Sequence, residues 1–465
     1  MPDADAPAPP HMAAPFDEAQ PSETGADETA ALHPVKTAYR RYALTLLVII
    51  YSLNFLDRQI VNILAESIKL DLHLMDWQIG MLQGLAFAIF YTTLGVPIAR
   101  LAERGNRPWI IGAAIAAWSG FTMLCGVAQN FTQLVAARIG VSIGEAGCSP
   151  PSHSLIADYT PRDKRAGALA IYSLGTPIGS LLGMAMGGVI ADAWGWRAAF
   201  LVAGAPGVIF ALLAGFTLIE PRKRLRADLA KRLDAAPTMM EALKELSGKR
   251  TFWLMALAAS LLAFQGYANN AFIGSFYFRN HAEELARIAA DFGMKPKGFL
   301  GLALGLIGGS AGVLGTWVGG VLADRLGKRD LRWHVTMPAI ATAISVPTYI
   351  AGILHPSGTM ALFLLTIPTF CNTMWYGPVY GSVQSLVKPQ TRTTAAAIIL
   401  FVINIIGLGG GPFFLGALSD WLAGPGGLGV AQGLRMAMVI TGFSLLGAVA
   451  LFLWARRTIR EEMVS

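Results

Sequence analysis

Twelve stretches of this sequence are each long and apolar enough to cross a lipid bilayer, and no other feature narrows the fold so far. A spanning helix needs roughly 20 mostly apolar residues. Such segments lie at 42–68, 77–99, 108–128, 131–157, 166–191, 197–219, 252–279, 298–322, 333–354, 359–387, 394–421 and 431–455. They are too long for the strands of a membrane barrel and lack its period-two alternation. Charged residues make up 14% of the chain, against roughly 25% in a soluble domain. That balance excludes a soluble enzyme and a disordered scaffold. The expected class is an all-α membrane protein with twelve transmembrane helices.

Arginine and lysine give the expected orientation. Of 36 such residues, 27 fall in the N-terminal flank, in every second loop and at the C-terminus. Seven lie on the other side, and Arg58 and Arg138 lie inside segments. The positive-inside rule then puts both termini in the cytoplasm, and a multi-pass protein of a bacterial inner membrane is expected. The net charge of +7 is spread over short clusters between apolar segments, which is not a nucleic-acid footprint. Cys125, Cys148 and Cys371 sit in unrelated settings, so neither a metal site nor a disulfide is expected. Residues 1–35 hold seven acids, no Lys or Arg, and many Ala and Pro. They read as a disordered tail and lack the basic start and apolar run of a signal peptide.

The sequence repeats itself at about half its length. Leu101-Ala102-Glu103-Arg104 returns as Leu322-Ala323-Asp324-Arg325, 221 positions later. The Pro161–Arg165 stretch is echoed at Pro389–Arg392, and Gly195-Trp196-Arg197 at Gly433-Leu434-Arg435. Two six-helix bundles follow, at 40–219 and 251–456, flanked by tails at 1–39 and 457–465. The linker 220–250 carries nine basic residues. Met239, Met240, Leu243 and Leu246 share one helical face there, as in a short interfacial helix. A second surface helix is expected within 280–297, on the other side.

Two halves with a site between them describe a rocking transporter, and the loop motifs resemble those of the major facilitator superfamily. Gly320-Val-Leu-Ala-Asp324-Arg325-Leu-Gly327-Lys-Arg329 is similar to its signature loop between helices 8 and 9. The first copy, Ala99-Arg-Leu-Ala-Glu103-Arg104-Gly-Asn106-Arg107, departs from it at Ala99, Glu103 and Asn106. Asn54-Phe-Leu-Asp57-Arg58, Arg138-Ile-Gly-Val-Ser-Ile-Gly-Glu145-Ala and Ile156-Ala-Asp158 resemble the spinster-type members. The resemblance implies that helices 1, 4, 7 and 10 line a central path and that helices 2, 5, 8 and 11 meet between the halves. It implies that Asp324 and Arg325 latch helix 8 to helix 11 in one gating state. It also implies a lysolipid or sphingoid-phosphate substrate and proton linkage.

Four buried charges are the candidate machinery. An ionisable group at mid-membrane is costly and ordinarily has a task and a partner. Asp57 and Glu145 fall at about 18 and 21 Å of depth, counting 1.5 Å per residue from the outer helix ends near Lys69 and Phe131. Arg138 and Glu145, two turns apart, share a helix face. Burial raises a carboxylate's pKa and a nearby arginine lowers it, so a conformational change that alters either can load or release a proton. Asp57 and Glu145 are the expected protonation sites. Arg58 and Arg138 are their charge partners or the anchors of an anionic substrate. Asp158 is expected to cap its helix or pair with Arg162 or Arg165.

Tyr51, Asn54, Gln265, Tyr267, Asn269, Asn270, Asn372, Trp375, Tyr376 and Tyr380 are the polar and aromatic candidates for the cavity wall, since such groups need partners or water in a membrane. Glycines four apart at 175, 179, 183 and 187, with further glycines at 301, 305 and 309, then 315 and 319, and in 407–416, suggest close helix contacts along a smooth seam between the halves. No phosphate-cradling GxxxxGK[ST] motif is present, so no ATP-driven pump is indicated. His153 lies near three serines but has no acid to orient it, so an enzyme is not expected. The expected activity is secondary transport of an amphiphilic anion by alternating access. It needs no cofactor and draws on the proton gradient. The alternative is a carrier of a small organic anion or a drug-like compound. The partners are bilayer lipid, substrate and protons, with no nucleic acid, around a monomer.

Overall fold

The structure, a computed structural model, describes residues 36–161, 164–221, 239–388 and 391–463. Among the described residues, nine helices are long and apolar enough to span a membrane. One of these, Gly167–Thr217, has 51 residues. At 1.5 Å per residue that is about 76 Å, more than twice the hydrocarbon thickness of a bilayer. Gly195 divides it, with φ at +84°, a backbone region that a side chain would strain. Two further crossings are interrupted helices. Phe131–Ala146 and Ser149–Tyr159 flank Gly147 and Cys148, and Gly358–Cys371 and Tyr376–Ser385 flank residues 372–375. Counted this way, the described residues are consistent with twelve crossings, at the segments the sequence marks.

The crossings are numbered 1 to 12 in chain order. Crossing 1 is Thr37–Asp71, crossing 3 Arg107–Val127, crossing 7 Arg250–Asn280, crossing 8 Pro296–Gly327 and crossing 9 Trp333–Leu354; the two interrupted helices are crossings 4 and 10, and crossings 5 and 6 are the parts of Gly167–Thr217 before and after Gly195. Crossing 2 is broken at Gly84 into Asp76–Gln83 and Leu85–Arg104. Crossing 11 passes from Arg392–Ile403 through a π-helical stretch, Asn404–Gly410, to Gly411–Ala423. Crossing 12 is Gly429–Gly442 continued by Ser444–Glu462. Crossings 1–6 form one half and 7–12 the other. The outer ends of the first and last described crossings, Thr37 and Glu462, lie on one face, the terminal face.

The breaks follow from local chemistry. Pro150 and Pro151 cannot donate to the helix before them, so crossing 4 stops and restarts at Ser149. Asn130 and Ser357 cap the starts of crossings 4 and 10, accepting from the amides of Gln133 and Met360. The expected surface helices are present as Met239–Ser247 and Ala282–Asp291. Leu246 of the first is buried against the second half and Leu243 packs beside it; the side chains of Met239 and Met240 lie outside the described residues. The last crossing does not end at 456. It continues to Glu462, with Ile459 buried and Glu462 accepting from the amides of Arg250 and Thr251.

Glycine positions the halves, but not as the sequence suggested. The crossing 5 stripe at 175, 179, 183 and 187 faces crossing 1 of its own half, against Tyr51, Ser52, Leu56 and Ile60. Gly315 and Gly319 likewise meet Phe370 and Met374 within the second half. The seam between halves uses a subset near the face opposite the termini. Gly188 meets Lys297 and Gly301 meets Met184 between crossings 5 and 8, while Gly416 meets Asp76 and a Cβ on Gly84 would stand 2.8 Å from the Gly409 oxygen between crossings 2 and 11. Nearer the terminal face the contact ends. Cβ atoms on Gly308, Gly309 and Gly95 would meet nothing within 4 Å.

Candidate functional site

Divergence of the halves toward the terminal face leaves a cavity of about 340 Å³ between them. Crossings 1 and 5 line one wall with Phe55, Gln59, Thr176 and Ser180. The other wall holds Gln265, Tyr267, Asn269, Asn270, Asn372, Trp375 and Tyr376, seven of the ten residues expected to line it. Asn372 accepts from Ser345 at 2.8 Å and donates to Gln265 at 3.3 Å, which fixes the amide at the break in crossing 10. Trp375 stacks on Tyr376 at 4.2 Å between centroids, and Tyr380 extends the column. Tyr51 instead stacks on Tyr172 at 4.4 Å within the first half, and Asn54 is buried with neither amide atom bonded.

A narrower recess of about 60 Å³ adjoins the cavity, walled by Arg58, Arg138, Gln83, Phe87, Tyr267 and Asn270, among others. The Phe87 ring lies between the two arginines, 4.8 Å from the Arg58 guanidinium carbon and 5.4 Å from that of Arg138. Tyr91 holds Arg58 on another side at 4.6 Å. Behind them sit the acids. Arg58 Nε donates to Glu145 Oε2 at 2.5 Å, with the Glu145 side chain wholly inaccessible and that of Arg58 20% exposed. Asp57 accepts from Thr122 Oγ1 at 3.1 Å and is buried between crossings 1 and 3. Arg138 lies in electrostatic range of both carboxylates.

The four sequence-predicted charges therefore form one cluster with a defined order. The arginines front the recess and the carboxylates stand behind. Arg138 and Glu145 share a helix as expected, but Glu145 takes its ion pair from Arg58 on crossing 1. Asp57 Oδ1, Glu145 Oε1, Arg138 Nε and both amide atoms of Gln83 are buried without hydrogen-bond partners. Unsatisfied polar atoms at that density are costly in lipid. Such a cluster is suited to taking up protons, water or an anionic group.

The opposite face is shut by a second charge cluster, which the sequence reading did not single out. Arg279 donates to Glu66 at 2.7–2.9 Å and to both oxygens of Asp76 at 2.8 Å. Lys69 also reaches Asp76, at 2.5 Å, and Ser419 donates to it at 2.7 Å. Asp420 accepts from the amides of Asp76 and Trp77 at 3.0 and 2.8 Å, capping crossing 2 from the other half. Among the described residues, every ion pair joining the halves is in this cluster. Charged residues at the ends of segments 1, 2, 7 and 11 were the available signal.

The gating-loop residues are placed differently from expectation. In this state Arg107 is 2% exposed and staples the first half. It binds Glu220 through its guanidinium and its amide, Asp158 at 2.7 Å and Ser154 at 2.8 Å. Asp158 meets Arg107, whereas Arg165 donates to the Thr160 carbonyl, and Arg162 lies outside the described residues. So do the side chains of Glu103 and Arg104. Asp324, Arg325 and Arg329 are exposed, and among the described residues neither Asp324 nor Arg325 forms an ion pair or hydrogen bond with crossing 11 in this state. Gly327 lets His334 approach, its Cβ position 2.5 Å from the ring, while a Cβ on Gly320 would meet open space. In the same loop Asp330 pairs with Arg460 at 2.8 Å. A hydrogen bond from the Arg332 amide and then Arg460 hold its carboxyl below the usual range.

The Major Facilitator Superfamily profile matches residues 47–412. An MFS-type efflux pump of Mycolicibacterium smegmatis is 31% identical over 427 residues, covering 90% of this chain and 94% of that protein. The sphingosine-1-phosphate transporter SPNS2 of Danio rerio is 26% identical over 379 residues, covering 80% and 74%. A solved bacterial homologue of the human lysosomal transporter spinster, inward-facing and unoccupied, superposes with a TM-score of 0.82. It shares 31% identity, covering 93% of this chain and all of that one.

Proposed function

From the premise that this chain belongs to the Major Facilitator Superfamily, we propose that it is a proton-coupled secondary carrier of an amphiphilic anion. It is a spinster-like, multi-pass membrane transporter and not an enzyme. The finer reading concerns energy source, substrate and direction of opening.

The observation that carries it is the Arg58–Glu145 pair. One guanidinium contacts the recess and at the same time neutralises a wholly buried carboxylate. An anionic headgroup arriving at Arg58 competes with Glu145 for the same cation. A carboxylate that loses its partner in a low-dielectric site favours the protonated form. Substrate and proton thus exchange influence through one side chain, with Arg138 and Asp57 forming a second, parallel cation and acid. The cavity wall beyond, with Tyr267, Trp375, Tyr376 and Met184, offers apolar surface for a chain attached to that headgroup.

The arginine and lysine excess on the terminal face makes that face cytoplasmic, so the state described is inward-open with its outer gate closed. Both termini are then in the cytoplasm, in a bacterial inner membrane, and a single chain holds the complete pathway. The name of the mycobacterial relative supports a second reading, export of a drug-like compound. The aromatic column Trp375–Tyr376–Tyr380 would suit that cargo. Reconstituted protein should be offered sphingosine 1-phosphate, lysophospholipids, sugar acids and cationic dyes under an imposed pH gradient. Gradient-driven flux of a phosphate amphiphile supports the first reading. Flux confined to dyes supports the second, and flux indifferent to pH refutes proton coupling.

A further inference from the structure

We propose that Ser149, Ser152, Tyr172 and His153 form the path by which the Glu145 proton leaves for the terminal face, with His153 accepting it last. The inference rests on the reading of Glu145 as a proton-carrying group and adds the route and its final residue. Glu145 has one oxygen held by Arg58; the other, Oε1, is buried and unbonded. Two residues on, crossing 4 breaks at Gly147 and Cys148. Pro150 and Pro151 deprive the carbonyls of Ala146 and Gly147 of their usual donors. Freed carbonyls inside a membrane call for hydroxyls or water.

Those groups are present. Ser152 Oγ donates to the Cys148 carbonyl at 2.8 Å and lies 3.9 Å from the Cys148 sulfur. The Tyr172 hydroxyl, from crossing 5, is buried, makes no hydrogen bond of ordinary geometry among the described residues, and lies within interaction reach of Ser149 and Ser152, with Cys148 beside them. A polar pocket with an orphaned phenol and two open carbonyls is where an ordered water is stable. The imidazole of His153 meets the Tyr172 ring edge-on at 5.1 Å, and the residue is exposed, six positions before the terminal-face end of crossing 4 at Tyr159. His153 forms no hydrogen bond or ion pair among the described residues, and the ring against it is Tyr172. Along the helix it is eight residues from Glu145, about 12 Å at 1.5 Å per residue.

The transfer balances. The Glu145 O–H bond breaks, one hydroxyl or water proton shifts at each position, and an N–H bond forms on His153. The imidazolium then gives that proton to bulk water. Histidine suits this last position because its ordinary pKa lies near neutrality.

The test needs no substrate. A rapid pH jump on the purified full chain, followed by infrared absorption of protonated carboxyl groups, reads Glu145 directly once the E145Q difference is subtracted. H153Q is expected to slow that signal about tenfold or more with unchanged amplitude, and Y172F, which keeps the ring, to slow it too. Added imidazole should restore the H153Q rate. A wild-type rate in H153Q, or a smaller amplitude at an unchanged rate, overturns the route. If E145Q removes no signal, Glu145 carries no proton and the underlying reading fails instead.

Discussion

Arg279 is the cation on which closure of the outer face depends, so its removal should move the whole conformational balance. Its side chain is 6% exposed and donates to Glu66 and Asp76, whose side chains are 12% and 2% exposed. In R279Q these two acids, with Asp420 beside them, keep only Lys69 as a cation. Breaking a buried pair by removing one partner costs about 3–5 kcal/mol. The lower figure is the apt one, because Lys69 stays on Asp76 and Asp420 still caps crossing 2. The outward-open form makes no such contacts and loses little. About 3 kcal/mol is a factor of about 150 in the ratio of states, enough to make a form present at one per cent into the majority. Spin labels at Met75 and Leu428, 51% and 44% exposed on the outer loops of the two halves, would report the separation. The native cysteines are buried. The wild type should give one short-distance population and R279Q a second, longer one. D76N added to R279Q should bring part of the short population back. An unchanged distribution in R279Q would refute the assignment of this cluster as the gate.

Other expectations follow from the same geometry. R107A should lower thermal stability by about 3–5 kcal/mol, because Glu220 and Asp158 lose a buried partner; R107K should recover little, since one ammonium cannot reproduce the forked donors. G301A should disfavour the closed outer face by about 1–3 kcal/mol, because its methyl would strike the Met184 carbonyl; greater labelling of outer-face cysteines would show it. Glu284 accepts from Ser357, Gly358 and Thr359 at the start of crossing 10. Burial opposes its ionisation, but these hydrogen bonds pull its pKa from 4.5 down to about 2. A depressed carboxylate stabilises the fold above its ordinary pKa and stops doing so as pH falls toward the folded value. E284Q should thus melt lower than wild type by a constant margin above about pH 5, with the gap closing in more acid solution.

The crossings were legible because apolar length is written directly in the chain, and the repeat divided them into halves. Asp57, Arg58, Arg138 and Glu145 were legible as a group because charge is rare at that depth. Their order was not. Which acid Arg58 holds, and that the arginines front the recess, depends on helix rotation, which residue spacing alone leaves free. The outer gate was hidden for another reason. Asp76 and Asp420 are 344 positions apart, and each reads alone as an ordinary helix-end charge. Glycine spacing correctly marked close helix contacts but could not say which neighbour was approached, so the crossing 5 stripe was assigned to the wrong partner. The π-helical stretch at Asn404–Gly410 had no local signal beyond its glycines. Arg107 looked like a loop residue because the acids that bury it, Asp158 and Glu220, come from crossing 4 and from the chain just beyond crossing 6.

The account turns on whether the Arg58–Glu145 pair ties substrate movement to protons. The direct measurement is the substrate ratio at which net flux stops in proteoliposomes, taken as a function of the imposed pH difference. One proton per substrate turnover gives about a tenfold change in that ratio per pH unit, because a unit is worth about 1.4 kcal/mol. Wild type should follow that slope, and E145Q should equilibrate its substrate without regard to pH. A flat response in wild type, or an undiminished slope in E145Q, would contradict the account.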